Sequence, residues 1–169
     1  MILDYQIYNF LLDEIPIPDM SILDTIGFFG PLIVFIISFI KLWKQTNYLI
    51  GYIIFHFINK YINNILKVSI RQNRPIGGRS IINETYTGIN KYGMPSSHTQ
   101  AVAYSIAFLY LTKGSIPFLI LEIFILALTF YQRWKYRRHT IEQLTIGIIV
   151  GSLIGVIGHY ITKYIIHKI

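Results

Sequence analysis

The amino-acid sequence predicts an all-α fold: an integral membrane helical bundle of about five transmembrane helices with an interfacial helix at the N-terminus. Of its 169 residues, 53% are hydrophobic and 14% are charged, which is too polar-poor a composition for a typical soluble domain. The apolar residues also fall into five long stretches, and one long polar segment, residues 71–94, interrupts them. We therefore expect a single membrane domain over residues 1–169.

Residues 1–21 form the predicted interfacial segment. Apolar and acidic side chains are mixed between Met1 and Ile15, as in a weakly amphipathic helix that lies on a membrane surface and ends before Pro16. We expect no secretory signal peptide here, because the segment has neither a basic start nor a small-residue cleavage site.

Five apolar stretches are predicted to cross the membrane. They are Ile22–Ile40, Asn47–Leu66, His98–Thr112, Ile116–Tyr131 and Thr140–Ile161. Counting the crossings puts the end of the second, the start of the third, the end of the fourth and the start of the fifth on one membrane face. The polar loop 71–94 lies on that face, and long loops of this kind commonly carry function.

The second span carries a polar stripe at three- and four-residue steps. Its members are His56, Asn59, Lys60, Asn63 and Lys67. Such spacing puts the side chains on one helix face. Because a charge in the middle of a bilayer costs roughly 2.5–3.5 kcal/mol on insertion scales, we expect this face to point into the helix bundle.

The net charge of +7 suits an anionic partner, and alone it fits nucleic acid, an anionic membrane surface or a phosphorylated substrate equally well. Because the basic clusters fall at the ends of membrane helices, we expect membrane lipids as partners and no nucleic acid. Cys is absent, which excludes disulfides, thiolate nucleophiles and Cys-based metal sites.

Three residue clusters lie at the shared membrane face. The first contains Lys67 and, after six intervening residues, Arg74-Pro75. Two cations that converge at the end of a polar helix suit an anionic ligand. Taken alone, however, basic residues at a membrane helix end more often anchor the helix to lipid head groups.

The second cluster is Pro95-Ser96-Ser97-His98 at the start of the third span. Pro95 suits the first position of a helix, where free backbone N–H groups and the positive dipole end attract anions. The hydroxyls of Ser96 and Ser97 add donors, and His98 is placed to pass a proton to a leaving oxygen. The alternative is a simple helix start with a structural histidine at the interface.

The third cluster is Arg133, His139 and, one turn later on the same helix face, Gln143. A histidine nucleophile needs one ring nitrogen free and the other held by an acceptor, and the Gln143 side-chain oxygen is the expected acceptor, ahead of Glu142. The remaining basic residues nearby are predicted to form a membrane-surface patch; they are Lys135, Arg137 and Arg138.

The fifth span continues with glycines at four-residue steps, Gly147, Gly151 and Gly155. Small residues in a row permit close contact with a neighbouring helix. The ridge would then fix the helix that begins next to His139. The alternative is that glycines are simply tolerated in a membrane helix.

Taken together, the clusters resemble the three ordered motifs of the type 2 phosphatidic acid phosphatase superfamily. The matching positions are Lys67–x6–Arg74-Pro75, Pro95-Ser96-Ser97-His98 and Arg133–x5–His139–x3–Gln143. Ser97 stands where Gly is usual and Gln143 where Asp is usual. Both residues are expected in the dolichyl diphosphate phosphatase branch, which the Tyr92–Gln100 and His139–Gln143 segments resemble most.

The resemblance implies a role for each matching residue. His139 would attack phosphorus to give a phosphohistidine, His98 would protonate the leaving group, and Gln143 would orient His139. The remaining positions would bind the phosphate and stabilise its developing charge; they are Lys67, Arg74, Ser96, Ser97 and Arg133. We expect no metal and no other cofactor, because cations take the place of Mg²⁺ and the sequence has no carboxylate cluster.

The expected function is hydrolysis of a polyisoprenyl diphosphate of the dolichyl type to the monophosphate. A broader lipid phosphate phosphatase acting on phosphatidate-like monophosphates is one alternative, and a non-catalytic membrane protein that binds anionic lipid is another. A non-catalytic lipid-binding protein would explain the cations but neither histidine. Basic residues are nearly balanced between the two faces, so orientation rests on the resemblance, which implies a lumenal site in the endoplasmic reticulum, or a plasma membrane protein in a bacterium. Tail length and oligomeric state stay open.

Overall fold

The computed structural model describes residues 20–79 and 87–168, and within these ranges the chain is almost entirely helical. The long helices are α1 (Ile22–Leu42), α2 (Thr46–Ile70), α3 (Ser97–Lys113), α4 (Ile116–Lys135) and α5 (Ile141–Lys168), and a short 3-10 helix covers Gly88–Lys91. The prediction of an all-α membrane bundle with five helices is confirmed. The interfacial helix predicted for Met1–Ile15 lies outside the described residues.

Three of the five helices, α1, α4 and α5, are long and apolar enough to cross a membrane by length and composition. The other two are α2, which has 25 residues and carries the polar stripe, and α3, which has 17 residues. α3 packs against all four of the other long helices. Because neighbours cover it on every side, α3 needs less apolar surface than a helix that faces lipid.

The glycine ridge of α5 packs against α3, as the sequence predicted. A Cβ atom at Gly147 would lie 2.7 Å from the Ser96 carbonyl oxygen, and one at Gly151 would lie 2.9 Å from the Gln100 carbonyl carbon. Such distances leave no room for a side chain, so the two helix backbones lie in direct contact. This contact fixes the helix that begins beside His139 against the helix that carries His98.

The start of α1 is joined to the end of α4. Lys135 donates to the buried Asp24 carboxylate at 2.7 Å, and Asp24 also forms a capping box with Ser21. Lys135 stays partly exposed, as a surface patch requires, but its charge is paired within the protein. Its charge balances an acidic residue from the far end of the sequence, which a reading of neighbouring residues does not reveal.

The polar stripe of α2 mostly faces the bundle, as predicted. Asn63 donates to the Gln100 side-chain oxygen at 2.7 Å, and Gln100 in turn donates to the Asn59 side-chain oxygen at 2.8 Å. Lys67 is also buried. Lys60 is exposed, because it borders the open space between α1 and α2 rather than the packed interior.

α1 and α2 touch over few residues, and a groove of about 400 Å³ lies between them. Phe28, Phe29 and Leu32 form its α1 wall, and the polar residues of α2 form the opposite wall. We call this space the α1–α2 groove. It extends from Lys67 and His98, at one end of the bundle, to His56 on α2.

Candidate active site

The predicted site residues gather at one end of the bundle. The attacking candidate, His139, lies in the connection between α4 and α5 and is buried. The Arg74 guanidinium donates to its Nε2 atom at 2.7 Å. Lys67 at the end of α2 and Arg133 at the end of α4 are buried as well, with 2% of each residue exposed. Three cations from three segments thus surround one imidazole.

The hydrogen bonds of His139 fix which ring nitrogen carries the proton. Nδ1 lies 2.9 Å from the Gly93 carbonyl oxygen, which only accepts, so Nδ1 donates. Nε2 faces the Arg74 guanidinium, which only donates, so Nε2 holds a lone pair. The imidazole is therefore the neutral Nδ1–H tautomer, with the lone pair of Nε2 directed at the Arg74 guanidinium.

The Gln143 side chain also contacts the Nδ1 atom of His139, although it is not the nearest acceptor. Its Oε1 atom lies 3.3 Å from His139 Nδ1, farther than the Gly93 oxygen, and it also accepts from the Thr140 backbone at 3.2 Å. The Gln143 backbone N–H donates to the Thr140 hydroxyl. Thr140 and Gln143 thus form a capping box at the start of α5. Glu142 instead accepts from Gln72.

Gly93 is a site residue that the sequence did not reveal as one. Its N–H donates to the Gln72 carbonyl at 2.8 Å, and an isolated bridge joins Asn73 to Tyr92 next to it. A Cβ atom on Gly93 would lie 2.7 Å from the Gln143 side-chain carbon Cδ. The glycine is needed because its backbone presses directly against the Gln143 amide while its carbonyl holds His139.

Burial and the neighbouring cations Arg74, Arg133 and Lys67 hold the pKa of His139 well below its usual range. Burial disfavours the charged form, and each nearby positive charge disfavours it further. The ring is therefore neutral at pH 7, which is the state a nucleophile requires.

His98 lies in the first turn of α3, half-buried, and it lines the α1–α2 groove together with Lys67 and Ser97. Its ring centroid is 5.8 Å from that of Phe28. The same Phe28 ring lies 5.7 Å from the Arg133 guanidinium carbon. α1 thus contributes an aromatic wall to the site, which no polar motif in the sequence indicates.

Ser96 is the N-cap of α3, and its backbone N–H donates to the Gln143 carbonyl at 3.0 Å. Its hydroxyl is buried and has no hydrogen-bond partner within the described part of the chain. The helix begins at Ser97, so the prediction that Pro95 occupies the first helical position is wrong. The Pro95 carbonyl accepts instead from Asn63 at 3.2 Å.

Arg138 also departs from its prediction as part of a surface patch. The residue is buried, with 2% exposed, and its carbonyl accepts from Arg74 at 2.9 Å. Arg74 donates further to the Asn90 carbonyl at 2.8 Å. Arg137 is exposed as the patch requires. The backbone around His139 therefore positions the guanidinium that meets its Nε2.

Two openings reach the site from different sides. The α1–α2 groove reaches His98 and Lys67 from the membrane side. A second, larger cleft of about 720 Å³ reaches His139 and Arg74, and its lining combines the polar Arg137 and Glu142 with the apolar Ile76, Trp134 and Ile141. The two histidines are thus approached through different cavities.

Comparison with known proteins places this geometry in a family. The model of the PAP2 superfamily matches residues 45–167. The chain belongs to the PAP2 superfamily. That range includes all three clusters and both histidines, so the resemblance noted in the sequence is confirmed at the level of the superfamily.

Curated relatives agree with the PAP2 assignment. The chain is 30% identical to the dolichyldiphosphatase of Saccharomyces cerevisiae, over 64% of this chain and 49% of that protein. It is 31% identical to dolichyldiphosphatase 1 of Plecturocebus moloch, over 81% of this chain and 63% of that protein, and 32% identical to the Homo sapiens protein of the same name, over 64% of this chain and 50% of that protein. The chain thus spans about half to three fifths of their lengths.

A solved structure shares the PAP2 fold. The transmembrane PAP2 type phosphatidylglycerolphosphate phosphatase of Bacillus subtilis superposes with a TM-score of 0.55 at 17% identity, covering 98% of this chain and 88% of that one. At this identity the match shows the fold alone.

Proposed function

We propose that this protein is a lipid phosphatase that converts a polyisoprenyl diphosphate of the dolichyl type to the monophosphate without a metal. The observation that carries the proposal is the His139 imidazole, neutral and held through Nδ1, with its Nε2 lone pair directed at Arg74. The names of the curated relatives favour the dolichyl-type substrate.

In the first step, Nε2 of His139 attacks the terminal phosphorus. A nitrogen–phosphorus bond forms, the bond from phosphorus to the bridging oxygen breaks, and the electron pair stays on that oxygen. His98 donates a proton to the leaving oxygen. Lys67, Arg74 and Arg133 stabilise the charge on the phosphoryl oxygens, and Ser96 and Ser97 donate hydrogen bonds to them.

In the second step, a water molecule takes the place of the leaving oxygen beside His98. His98 accepts a proton from this water, which attacks phosphorus and breaks the nitrogen–phosphorus bond. Inorganic phosphate is released and His139 returns to its neutral form. Gln143 and the Gly93 carbonyl orient His139 in both steps.

We assign the lipid tail and the released phosphate to different openings of the site. The tail of the lipid lies in the α1–α2 groove, whose α1 wall is aromatic and aliphatic, while inorganic phosphate leaves through the second cleft, beside Arg74. We further propose a lumenal active face in the endoplasmic reticulum membrane, or a plasma membrane location if the host is a bacterium.

The deciding experiment measures phosphate release by purified protein in detergent from polyisoprenyl diphosphates of several tail lengths and from phosphatidate. We expect the diphosphates to be hydrolysed with the higher kcat/KM. Faster hydrolysis of phosphatidate would favour the broader lipid phosphate phosphatase. Release from neither substrate would favour a non-catalytic protein that binds anionic lipid.

The covalent step has its own test. With a substrate labelled on the terminal phosphate, the His98→Ala variant should accumulate acid-labile label on the protein, because its intermediate forms but is hydrolysed slowly. The His139→Ala variant should carry none. A stable adduct on His139→Ala would refute the assignment of the nucleophile.

The metal-independent step is tested with EDTA and vanadate. Activity should survive EDTA, and vanadate should inhibit because it adopts the five-coordinate geometry of the transferred phosphoryl group. If EDTA abolishes activity and Mg²⁺ restores it, the mechanism is wrong.

A further inference from the structure

Lys60 lies in the α1–α2 groove, in line with Lys67 on the same face of α2. The two lysines are seven positions apart, which corresponds to about 10 Å along a helix. Asn64 lies between them, and all three side chains line the groove. No hydrogen bond or ion pair joins Lys60 to the part of the chain that the structure describes.

A lysine at this depth needs a reason, because a cation inside a bilayer costs roughly 2.5–3.5 kcal/mol on insertion scales. The described lining of the groove contains Lys60 and Lys67 and no acidic side chain. The two ammonium groups therefore face a space that suits an anion.

The groove is on the leaving-group side of the proposed reaction. His139 opens to the second cleft, whereas His98, the proposed proton donor to the leaving oxygen, opens to the groove. For attack in line, the leaving oxygen lies opposite the nucleophile. Whatever remains attached to the lipid therefore extends from His98 into the groove, towards Asn64 and Lys60.

We propose that Lys60, assisted by the Asn64 side-chain amide, binds the phosphate that remains on the lipid, so that the groove selects diphosphates over monophosphates. This inference rests on the proposed function. With a diphosphate substrate, breaking the bridging bond adds negative charge to the retained phosphate, which the Lys60 ammonium stabilises. With a monophosphate substrate the leaving group is an alcohol, and Lys60 meets no anion.

The experiment compares two substrates with the same polyisoprenyl tail, one a diphosphate and the other a monophosphate. Their kcat/KM values are measured for the parent, Lys60→Met, Lys60→Arg and the control Lys44→Met, which removes an exposed lysine in the connection between α1 and α2. The vanadate inhibition constant is measured for each protein as a report on the phosphoryl site itself.

We expect Lys60→Met to lose at least tenfold in kcat/KM on the diphosphate while its rate on the monophosphate and its vanadate inhibition stay within twofold of the parent. Lys60→Arg should keep most of the diphosphate activity, and Lys44→Met all of it. An equal fall on both substrates, or no fall on either, overturns the inference and leaves the proposed function standing. A parent that hydrolyses only the monophosphate refutes the diphosphatase assignment and this site with it.

Discussion

Replacing Gln143 by Leu tests which acceptor orients the nucleophile. The buried Gln143 amide makes four hydrogen bonds: its oxygen accepts from His139 and Thr140, and its nitrogen donates to Gln72 and to the Asn73 carbonyl. Leu has a similar volume and makes none of them. The variant therefore removes the hydrogen bonds while it keeps the packing.

The distances predict a modest effect on the rate. A hydrogen bond contributes about 0.5–1.5 kcal/mol, and the contact from His139 Nδ1 to Gln143, at 3.3 Å, is long. The Gly93 carbonyl stays at 2.9 Å from the same atom. The loss in kcat should therefore be about tenfold at most, since about 1.4 kcal/mol corresponds to tenfold. If Gln143 were the sole acceptor, misorientation would cost on the order of 10²-fold.

Stability should fall at the same time. The amide donors to Gln72 and Asn73 hold the end of α2 against α5, and each part-buried bond contributes about 1 kcal/mol. The assay measures the rate constant at saturating substrate together with the thermal unfolding midpoint in detergent. A rate loss of 10²-fold or more with an unchanged midpoint would refute the argument that the Gly93 carbonyl holds His139.

A matched pair of variants isolates Gly93. A Cβ atom at this position collides with the Gln143 side chain, so Gly93→Ala should lower kcat more than Gln143→Leu does. In the Gln143→Ala background the same Cβ finds space, and Gly93→Ala should then have little additional effect. Strict additivity of the two changes would show that the collision is not the cause.

Three further predictions follow from the structure. Single Cys substitutions at the exposed positions Lys91 and Arg137 should react with an impermeant reagent from one side of the membrane and Lys113→Cys from the other; any other pattern contradicts the crossings. In an NMR titration of protein with isotope-labelled histidine, assigned with His139→Asn, His139 should titrate below pH 6.5 because burial and the cations lower its pKa. Protonation of His139 should then reduce the stability of the fold as pH falls below 6.5. A titration midpoint for His139 at or above pH 6.5 would contradict this prediction. Lys135→Met should lower the unfolding midpoint more than Lys135→Arg, since the buried α1 carboxylate then loses its charge partner; equal midpoints would show the pair to be unimportant.

The sequence predicted the helices and the meeting of the three clusters because both depend on local information. Apolar stretches define membrane helices, and counting crossings brings Lys67, His98 and His139 to one face. The sequence did not indicate the role of Gly93, because every residue type has a backbone carbonyl that can accept a hydrogen bond. The capping box of Thr140 and Gln143 does have such a signature, since Thr-x-x-Gln precedes an apolar run, and it was available from the sequence.

Two features that the sequence did not indicate, the pairing of Lys135 and the burial of Arg138, depend on partners far apart in the chain. Lys135 pairs with Asp24 across 111 positions, and Arg138 is buried beneath Arg74. Runs of basic residues beside a membrane helix normally indicate a solvated patch. Only the packing of α1 on α4 and of the loop on the α4–α5 connection determines which members of the run remain at the surface.

The two openings of the site determine the units in which substrate and inhibitor concentrations are expressed. A lipid that enters through the α1–α2 groove reaches the protein by diffusion within the bilayer or micelle, so the concentration at half-saturation is a mole fraction of that phase. Phosphate and vanadate that arrive from bulk water through the second cleft have binding constants in molar units. Adding detergent at fixed total substrate lowers the mole fraction of the lipid but leaves the molar concentrations of phosphate and vanadate unchanged. Apparent affinities from different preparations are therefore comparable only when the composition of the bilayer or micelle is stated.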